Sequence, residues 1–433
     1  MLGARMAPLN SAKGDVASMP DVVQRRLLAV AAFLAASVAL AACGQGSTTT
    51  STSAPSATAS TIPVSTTSTS PPEIAAGFQP LAMSFVSPSL GFALGHYRCS
   101  QGECYQLVRS TDGGKNWGLV APAGSVVASI NPQGVYFADA ARGWVWGKGA
   151  AFTDNGGKIW NVLVLPAGSV VDSMAVVGAQ AYFLLSTPTS SPPGTYVTSL
   201  FEQNWQAGGG TIPVGGFSPV GTPAPAGMLA PGASLLGVDT GQAGTASPLW
   251  IYDPAGDSST SLPNPCAGSA GSPSVPLMSG GRYLAAESGN PASQARFHAL
   301  CTSDPGAGSS AKQLYELVYS TSTTTSSSWT SLGATAPLGG LATDFATSPG
   351  ANFAIGAASG ASFVYAQQAG NSTWSSLTDS SLGGAPVTQL EWVDDSHVFA
   401  VIGGPEGAGL GPSSASVAYY STDGGASFAK LTF

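Results

Sequence analysis

Carboxylates are the residues of this sequence whose type could support catalysis. The candidates are Glu287, Glu316, Glu391, Asp394 and Asp395. A two-carboxylate glycosidase needs one acid with a raised pKa and one base or nucleophile held across a cleft. Nothing in the spacing of these residues places two of them face to face, and Asp394-Asp395 is typical of a solvated turn between strands. We therefore predict no catalytic residues.

The sequence gives even less support for a metal site or for a catalytic Ser or Cys nucleophile than for a pair of catalytic carboxylates. His96, His298 and His397 have no Ser or Cys motif beside them, so each is predicted to be an ordinary histidine. The sequence has no Cys-x-x-Cys pair and no closely spaced pair of histidines, and a zinc site would need ligands at such spacings. The sequence predicts neither a metal site nor a cofactor.

The N-terminus has the layout of a signal peptide. Arg25 and Arg26 precede an uncharged run from Leu27 to Ala42 that is rich in Ala, Leu and Val. The run is shorter than the roughly 20 residues that cross a bilayer as a stable helix. We predict that residues 1–42 are a cleaved signal, and translation that starts at Met19 would remove a polar stretch that signals lack.

The run ends in Leu40-Ala41-Ala42-Cys43, which resembles a bacterial lipobox. This resemblance implies lipidation of Cys43 and cleavage just before it. The alternative is an ordinary secretory signal with an incidental cysteine. We expect an exported protein held by Cys43 at the outer face of the cytoplasmic membrane or at the cell surface.

Charge restricts the partners of the mature chain. The whole chain has 14 Lys and Arg against 22 Asp and Glu, and removal of residues 1–42 takes away four basic and only two acidic residues. Nucleic acid and anionic lipid headgroups are therefore poor candidates. Residues 43–75 are rich in Ser, Thr and Pro, and we predict a disordered tether there because such a segment cannot bury enough apolar surface to fold.

Four cysteines follow Cys43, an even number in a compartment where disulfides persist. Proximity predicts the pairs Cys99–Cys104 and Cys266–Cys301. The first pair would close an elongated hairpin over His96–Tyr105, either as a staple, which we favour, or as a recognition loop. The second would tie together an expanded fifth unit.

Residues 76–433 contain a repeated phrase of strand, polar turn and strand. Met83–Gly95, Val135–Gly147 and Met174–Ser186 align without gaps. Weaker copies begin near Met228, Met278, Asp344 and Leu390, which gives seven units about 51 residues apart. A period of this length suits a four-stranded blade. We predict an all-β fold, a β-propeller of seven four-stranded blades.

A second repeat closes three of the units, and its three copies resemble Asp boxes, also called bacterial neuraminidase repeats. In this motif a short acceptor side chain satisfies the turn amides, glycines take positive φ and an aromatic residue packs between sheets. The resemblance implies a structural role and not a catalytic one. The motif residues are Ser110, Asp112, Gly114 and Trp117; Thr153, Asn155, Gly157 and Trp160; and Ser421, Asp423, Gly425 and Phe428.

Propellers with Asp boxes include sialidases, large glucan-cleaving hydrolases, sortilin-type receptors and the photosystem II assembly factor with its bacterial relatives. The strand phrase followed by Ser-Thr-Asp-Gly-Gly-x-x-Trp is most similar to the assembly-factor group. A sialidase would need three arginines that clamp a carboxylate, a Tyr–Glu pair and an Asp acid/base. The mature chain has only Arg98, Arg109, Arg142, Arg282 and Arg296, without an Arg-Ile-Pro phrase.

The function that remains is a monomeric, non-catalytic binding or scaffold module for an extracytoplasmic protein or glycan. Loops from all blades of a propeller converge on one rim and present a broad, rigid face. The alternative is an exported glycoside hydrolase of sialidase-like fold.

We predict that Cys43→Ser releases the protein from membranes, because the substitution removes the only thiol that the lipobox offers for lipidation. Metabolic labelling with a fatty acid should require Cys43. A variant that stays with the membrane as tightly as the wild type would contradict the prediction.

Overall fold

The computed structural model describes residues 73–433, apart from 101, 123, 191–193, 208, 218–219, 223–226, 233, 241–248, 267–281, 287–293, 307, 321–327 and 405–414. The predicted signal, Cys43 and most of the predicted tether lie outside the described residues. No helix among the described residues is long and apolar enough to cross a membrane. The described residues belong to one compact unit.

This unit consists of seven antiparallel sheets that follow one another along the chain. Blades 1 and 2 consist of β1 (Gln79–Phe85), β2 (Gly91–Cys99), β3 (Gly102–Ser110) and β4 (Gly118–Pro122), then, after helix α1 (Gly124–Ser129), β5 (Gly134–Phe137), β6 (Gly143–Gly147), β7 (Gly149–Thr153) and β8 (Asn161–Val162). Blades 3 and 4 consist of β9 (Val170–Val177), β10 (Gln180–Pro188), β11 (Tyr196–Asn204), β12 (Thr211–Pro213) and the additional β13 (Val220–Thr222), then β14 (Met228–Pro231), β15 (Leu236–Asp239), β16 (Leu249–Asp253) and β17 (Ser258–Leu262).

The last three blades complete the ring. They consist of β18 (Arg282–Ala286), β19 (Gln294–Gly306), β20 (Ser309–Ser320) and β21 (Thr330–Thr335), then β22 (Leu341–Thr347), β23 (Phe353–Ser359), β24 (Ala361–Gln367) and β25 (Ser375–Asp379), then β26 (Val387–Trp392), β27 (Val398–Ile402), β28 (Val417–Ser421) and β29 (Ala429–Lys430). The predicted seven-bladed all-β propeller is confirmed. Met278, where the fifth unit was predicted to begin, lies outside the described residues.

The repeated strand phrase has a steric explanation. Phe85 pairs with Gly91 across β1 and β2, and Phe137 pairs with Gly143 across β5 and β6. Each ring lies over its glycine so closely that a Cβ atom there would clash with it. In blades 1 and 2, an aromatic residue followed six positions later by glycine therefore marks the turn between the first two strands, whereas blade 7 has Val398 six positions after Trp392.

Adjacent blades are joined by hydrophobic clusters, one at each of the seven seams. Side chains alternate along a strand, so successive residues belong to different seams. Phe92 and Leu94 pack toward blade 2, whereas Ala93 between them packs toward blade 7. The strands are buried on both faces, which accounts for their nearly continuous apolar sequence.

The seam between blades 7 and 1 closes the ring without a shared strand, because the strands of each sheet come from one contiguous segment. Aromatic packing takes the place of strand exchange. Phe85 stacks on Tyr420 with ring centroids 4.8 Å apart and contacts Phe399 at 5.3 Å. Near the end of the chain, Phe433 packs between Phe78 and Trp117, at 5.1 and 5.0 Å.

Polar side chains of the first strands add hydrogen bonds across the seams. At the closing seam, Gln389 Oε1 accepts from Met83 N and Gln389 Nε2 donates to Met83 O, both at 2.8 Å. Ser84 Oγ likewise accepts from Phe137 N at 2.9 Å, between blades 1 and 2. The closing seam thus uses the same kind of contact as an internal one.

The two ends of the ring differ in what they carry. Turns after the first and third strands lie at one end, which we call the turn face. Turns after the second strands and the connections between blades lie at the other, which we call the hairpin face. This division follows from the up-and-down order of the strands in each blade.

Candidate functional site

The hairpin of β2 and β3 extends farther than its counterpart in blade 2. Each of its strands has nine residues, against five in β6 and β7. At roughly 3.3 Å per residue, the extra length projects about 13 Å beyond the neighbouring hairpin. In blade 3, β10 and β11 also have nine residues each. In blade 5 the corresponding strands β19 and β20 are longer still, with 13 and 12 residues. Tall hairpins of blades 1, 3 and 5 therefore stand on the hairpin face.

The blade 1 hairpin is held rigid near its tip. Cys99 and Cys104 form the disulfide predicted from their proximity. His96 Nδ1 lies 2.5 Å from Glu103 Oε1, so the two strands are also joined by a side-chain contact. Burial raises the pKa of Tyr105 and the nearby Glu103 carboxylate raises it further, which keeps the phenol neutral at physiological pH.

The second disulfide also forms as predicted, between Cys266 and Cys301, with Cα atoms 5.4 Å apart. Its position differs from the expectation of a bond within the fifth unit. Cys266 follows β17, the last strand of blade 4, and Cys301 lies on β19 in blade 5. The bond therefore fastens the connection between two blades to the second strand of the later one.

The predicted motif of blade 1 forms a turn between β3 and β4. Ser110 Oγ donates to Asp112 Oδ1 at 2.8 Å and accepts from Gly114 N, also at 2.8 Å. Asp112 Oδ1 accepts from Asn116 N at 2.9 Å, and Asp112 Oδ2 from Asn116 Nδ2 at 2.6 Å. Trp117 Nε1 donates to Gly114 O at 3.0 Å. The side chains therefore satisfy amides of their own turn.

The turns of blades 2 and 7 repeat this arrangement. Thr153 Oγ1 and Ser421 Oγ accept from the fourth residue after them, Gly157 N and Gly425 N, at 3.0 and 2.9 Å. Asn155 Oδ1 and Asp423 Oδ1 accept from Ile159 N and Ser427 N, both at 2.9 Å. Trp160 and Phe428 lie in the seam clusters with blades 1 and 6, respectively.

The second glycine of each turn faces the preceding blade. A Cβ atom on Gly157 would clash with Leu107 of blade 1, and one on Gly425 with Ala366 of blade 6. At Gly114 the nearest neighbour is Leu431 of blade 7. The three turns therefore contribute to the seams as well as to their own blades.

Carboxyl groups from different blades meet at the centre of the ring. Glu391 of blade 7 lies close enough to Asp344 of blade 6 and to Tyr136 of blade 2 for their charges to interact. Blade 1 separates blades 2 and 7, so Glu391 and Tyr136 can approach only across the ring centre. The sequence pointed to Glu391 but not to Asp344 or Tyr136, because neither residue lies in a motif that indicates chemistry.

Loss of hydration governs the protonation of this cluster. Asp344 and Glu391 keep some surface open to the ring centre, yet protein surrounds them. Burial raises the pKa of Asp344 to about 7 and that of Glu391 to about 8, and the two carboxyl groups repel each other's charge. Burial also raises the pKa of Asp172, on β9, to about 6 and that of Tyr136 to about 12.

Some of these carboxyl groups also hold backbone across seams. Asp344 Oδ2 accepts from Leu390 N at 2.6 Å, from blade 6 to blade 7. Asp172 accepts from Ser186 Oγ within its blade and from Gly227 N, just before blade 4, at 3.4 Å. The ring-centre cluster is therefore part of the framework as well as a concentration of acidic groups.

The other predicted candidates do not join the cluster. Glu287 lies outside the described residues. Glu316 Oε2 pairs with Arg296 Nη1 at 2.8 Å and lies 3.5 Å from His298 Nε2, within blade 5. Asp394 Oδ1 pairs with His397 Nδ1 at 2.8 Å in the turn after β26. Asp395 Oδ1 accepts from Gly350 N and Ser348 Oγ of blade 6, so this exposed carboxylate is hydrogen-bonded and not merely solvated.

The arginines have separate surroundings. Arg142 lies over the ring of Trp205 at 4.9 Å, between blades 2 and 3, and Arg109 lies over Phe92 at 5.8 Å. Arg296 is paired in blade 5, and Arg98 belongs to the blade 1 hairpin. Arg282 begins β18. These positions are spread over blades 1, 2 and 5 and do not form one clamp.

Comparisons with protein-family models and with curated proteins give no match. Among solved structures, the chain is similar to "YCF48 bound to D1 peptide", with 15% identity and a TM-score of 0.45 over 76% of this chain and 91% of that one. It is also similar to YCF48 from Cyanidioschyzon merolae, with 14% identity and a TM-score of 0.31 over 82% and 85% of the two chains. For the Niastella koreensis GH74 enzyme the identity is 12% and the TM-score 0.36, over 82% and 65%. These likenesses concern the fold alone.

We predict that Asp112→Ala lowers the melting temperature by a few degrees without unfolding the protein. The substitution removes the acceptor for Asn116 N and so leaves an amide of the turn without its hydrogen bond. Hydrogen bonds from Asn116 and Ser110 lower the pKa of Asp112 to about 2, so its contribution should be lost as pH falls from about 4 to 2. Thermal unfolding of both proteins across this range checks the difference. Loss of a binding or enzymatic activity at unchanged stability would contradict a structural role.

Glu391 should make the protein less stable as pH rises. The folded chain holds this proton up to about pH 8, whereas the unfolded chain releases it near 4.5, so unfolding releases a proton between these values. In Glu391→Gln, the fall in melting temperature from about pH 5 to 8 should therefore be shallower. Glu73→Gln, at an exposed position, is the control and should keep the slope of the wild type. An unchanged slope in Glu391→Gln would contradict the assignment.

Proposed function

We propose that this chain is an exported protein, held at the membrane by lipidated Cys43, whose propeller binds a partner outside the membrane and cleaves no glycoside. The lipobox-like Leu40–Cys43 and the Ser/Thr/Pro-rich segment after it support an anchor with a tether. The confirmed propeller supplies a rigid body at the end of that tether. We also propose that the three turns of blades 1, 2 and 7 are Asp boxes of the sialidase-like and assembly-factor-like superfamily.

One observation carries the binding role: the disulfide-closed hairpin of blade 1 projects from the hairpin face. A loop that is already ordered loses little conformational entropy when it binds, so it gives affinity that a flexible loop would not. Tyr97 and Arg98 lie next to Cys99 near its tip. Tyr and Arg are the residue types that most often dominate binding energy at protein interfaces.

The acidic groups at the ring centre favour a partner that carries positive charge. Asp172, Asp344 and Glu391 lie on first strands, and a cation that approached them would lower their pKa values by favouring the ionised forms. A protein segment or an amino-bearing glycan meets this requirement, whereas a nucleic acid does not. We propose an extracytoplasmic protein or glycan of this charge as the partner and a monomer as the binding form.

The second candidate function is glycoside hydrolysis, and the specific observation that favours it is that the Asp344 and Glu391 carboxyl groups are near enough for their charges to interact. A pair of carboxyl groups with raised pKa values in a concave site is a common feature of active sites. Against this function, Asp344 already holds Leu390 N. Glu391, with a pKa of about 8, stays mostly protonated near neutral pH, and Asp344, with a pKa of about 7, is only partly ionised there, whereas the mechanism needs one carboxylate ionised.

The binding role predicts that Tyr97→Ala/Arg98→Ala weakens capture of the partner at least about ten-fold. The Cys43→Ser protein, free of the membrane, would be presented to cell-envelope extracts and glycan arrays. Lys115→Ala on the turn face is the control and should bind like the parent. Equal capture by the hairpin variant would contradict the assignment of the hairpin face.

The same protein should release no product from aryl glycosides, including a sialoside. Turnover that Glu391→Gln abolishes at unchanged folding would reject the binding role in favour of the hydrolase.

A further inference from the structure

A groove lies on the turn face between blades 1 and 2. Its volume is about 640 Å³, within the range of small-molecule sites. Arg109 and Thr111 contribute to it from blade 1, and Asn155 and Lys158 from blade 2. The groove is thus at the opposite end of the ring from the tall hairpins, and the binding role proposed above does not use it.

The turn of blade 2 departs from the other two turns where it meets this groove. In blades 1 and 7 the second carboxylate oxygen of the turn acid is occupied: Asp112 Oδ2 by Asn116 Nδ2, and Asp423 Oδ2 by Ser427 Oγ, both at 2.6 Å. Blade 2 has Asn155 in place of the acid, and Ile159 in place of the side chain that donates to it.

With Asn155 in place of an acid, the atom that would be a carboxylate oxygen, an acceptor, is the amide nitrogen Nδ2, a donor. Asn155 Oδ1 accepts from Thr153 Oγ1 at 3.0 Å and from Ile159 N at 2.9 Å, which fixes the orientation of the amide. The Nδ2 group must therefore point away from the turn. Ile159 has an apolar side chain that cannot accept from it, so the amide donor is free to serve a ligand in the groove.

Positive charge lies on both sides of the same groove. Among the described residues, no carboxylate within salt-bridge distance of Arg109 or Lys158 is found. The acids nearest in sequence have other roles: Asp112 holds its own turn, and Asp139 accepts from Ala141 N and Arg142 N. Asp154 does not line the groove. Residues that carry guanidinium, ammonium, amide and hydroxyl groups thus line one groove whose lining includes no acidic residue.

We propose that this groove binds an oxyanion, namely a carboxylate, phosphate or sulfate group on a small ligand. Arg109 provides a planar fork of donors that matches such a group, and Lys158 a second charge from the facing blade. Asn155 Nδ2 and the Thr111 hydroxyl add neutral donors that fix its orientation. In a chain with an excess of acidic residues, this arrangement keeps one groove free of carboxylates.

Titration of the Cys43→Ser protein at low ionic strength with inorganic phosphate, inorganic sulfate and glucuronate tests the proposal. Each probe carries an oxyanion, and the relative affinities of the three probes distinguish a mineral anion from a sugar acid. We expect saturable binding of at least one probe. Arg109→Gln and Lys158→Gln should each weaken it about ten-fold or more, whereas Lys115→Gln, a lysine outside the groove, should leave it unchanged.

Asn155→Asp is the sharpest variant. It keeps the acceptor oxygen that holds the turn, so the melting temperature should not fall, yet it places a carboxylate in the groove and should abolish binding of the anion. Binding that survives in Asn155→Asp, or that Lys115→Gln weakens as much as Arg109→Gln, would overturn the proposal. So would the absence of saturable binding for all three probes.

Discussion

Closure of the ring is the constraint on which the rest of this structure depends. Seven blades can bury both faces of every sheet only if the seventh meets the first. Among the described strands, none from one end of the chain joins the sheet at the other end. The closing seam rests instead on Phe85 against Tyr420 and Phe399, on Phe433 between Phe78 and Trp117, and on the amide of Gln389 bonded to both polar groups of Met83.

The seam contacts explain why polar residues occur on first strands that face the ring centre. Ser84, Asp344 and Gln389 each accept a backbone N–H from the next blade. An N–H left without a partner at such a place would cost stability, and a short polar side chain removes that cost. The acidic cluster at the ring centre thus has a structural origin, and its raised pKa values follow from the same burial. Binding chemistry there would use groups that the framework already requires.

The loops and turns that carry specificity stand on this framework. The blade 1 hairpin is long and closed by a disulfide on one face, while the Asn155 turn carries a donor toward a groove on the other. Each depends on rigid neighbours: the hairpin on the paired strands below it, and the turn on Gly157, which has no room for a side chain beside Leu107. Differences among the repeats, set on an otherwise uniform ring, are therefore the features that point to function.

The sequence allowed much of this fold to be predicted because its signals are local. Phe85 with Gly91, and Phe137 with Gly143, lie within one turn of each other, and each disulfide joins a cysteine to the nearest other cysteine along the folded part of the chain. The meeting of Glu391 with Asp344 and Tyr136 could not be predicted, because it depends on how blades 2, 6 and 7 are arranged around the ring. The location of Cys266 between blades 4 and 5 was missed for a similar reason, since the weak fifth repeat gave no clear boundary.

Amide hydrogen exchange tests the central claim, that the ring is closed at blades 7 and 1 as firmly as at an internal seam. The Met83 amide reports on the closing seam through Gln389, and the Phe137 amide reports on the seam of blades 1 and 2 through Ser84. Closure of this kind predicts equal protection for the two amides, with exchange only by global unfolding. A Met83 amide that exchanges through a lower-energy opening than Phe137 would show that the ring opens at its closing seam and would contradict the account.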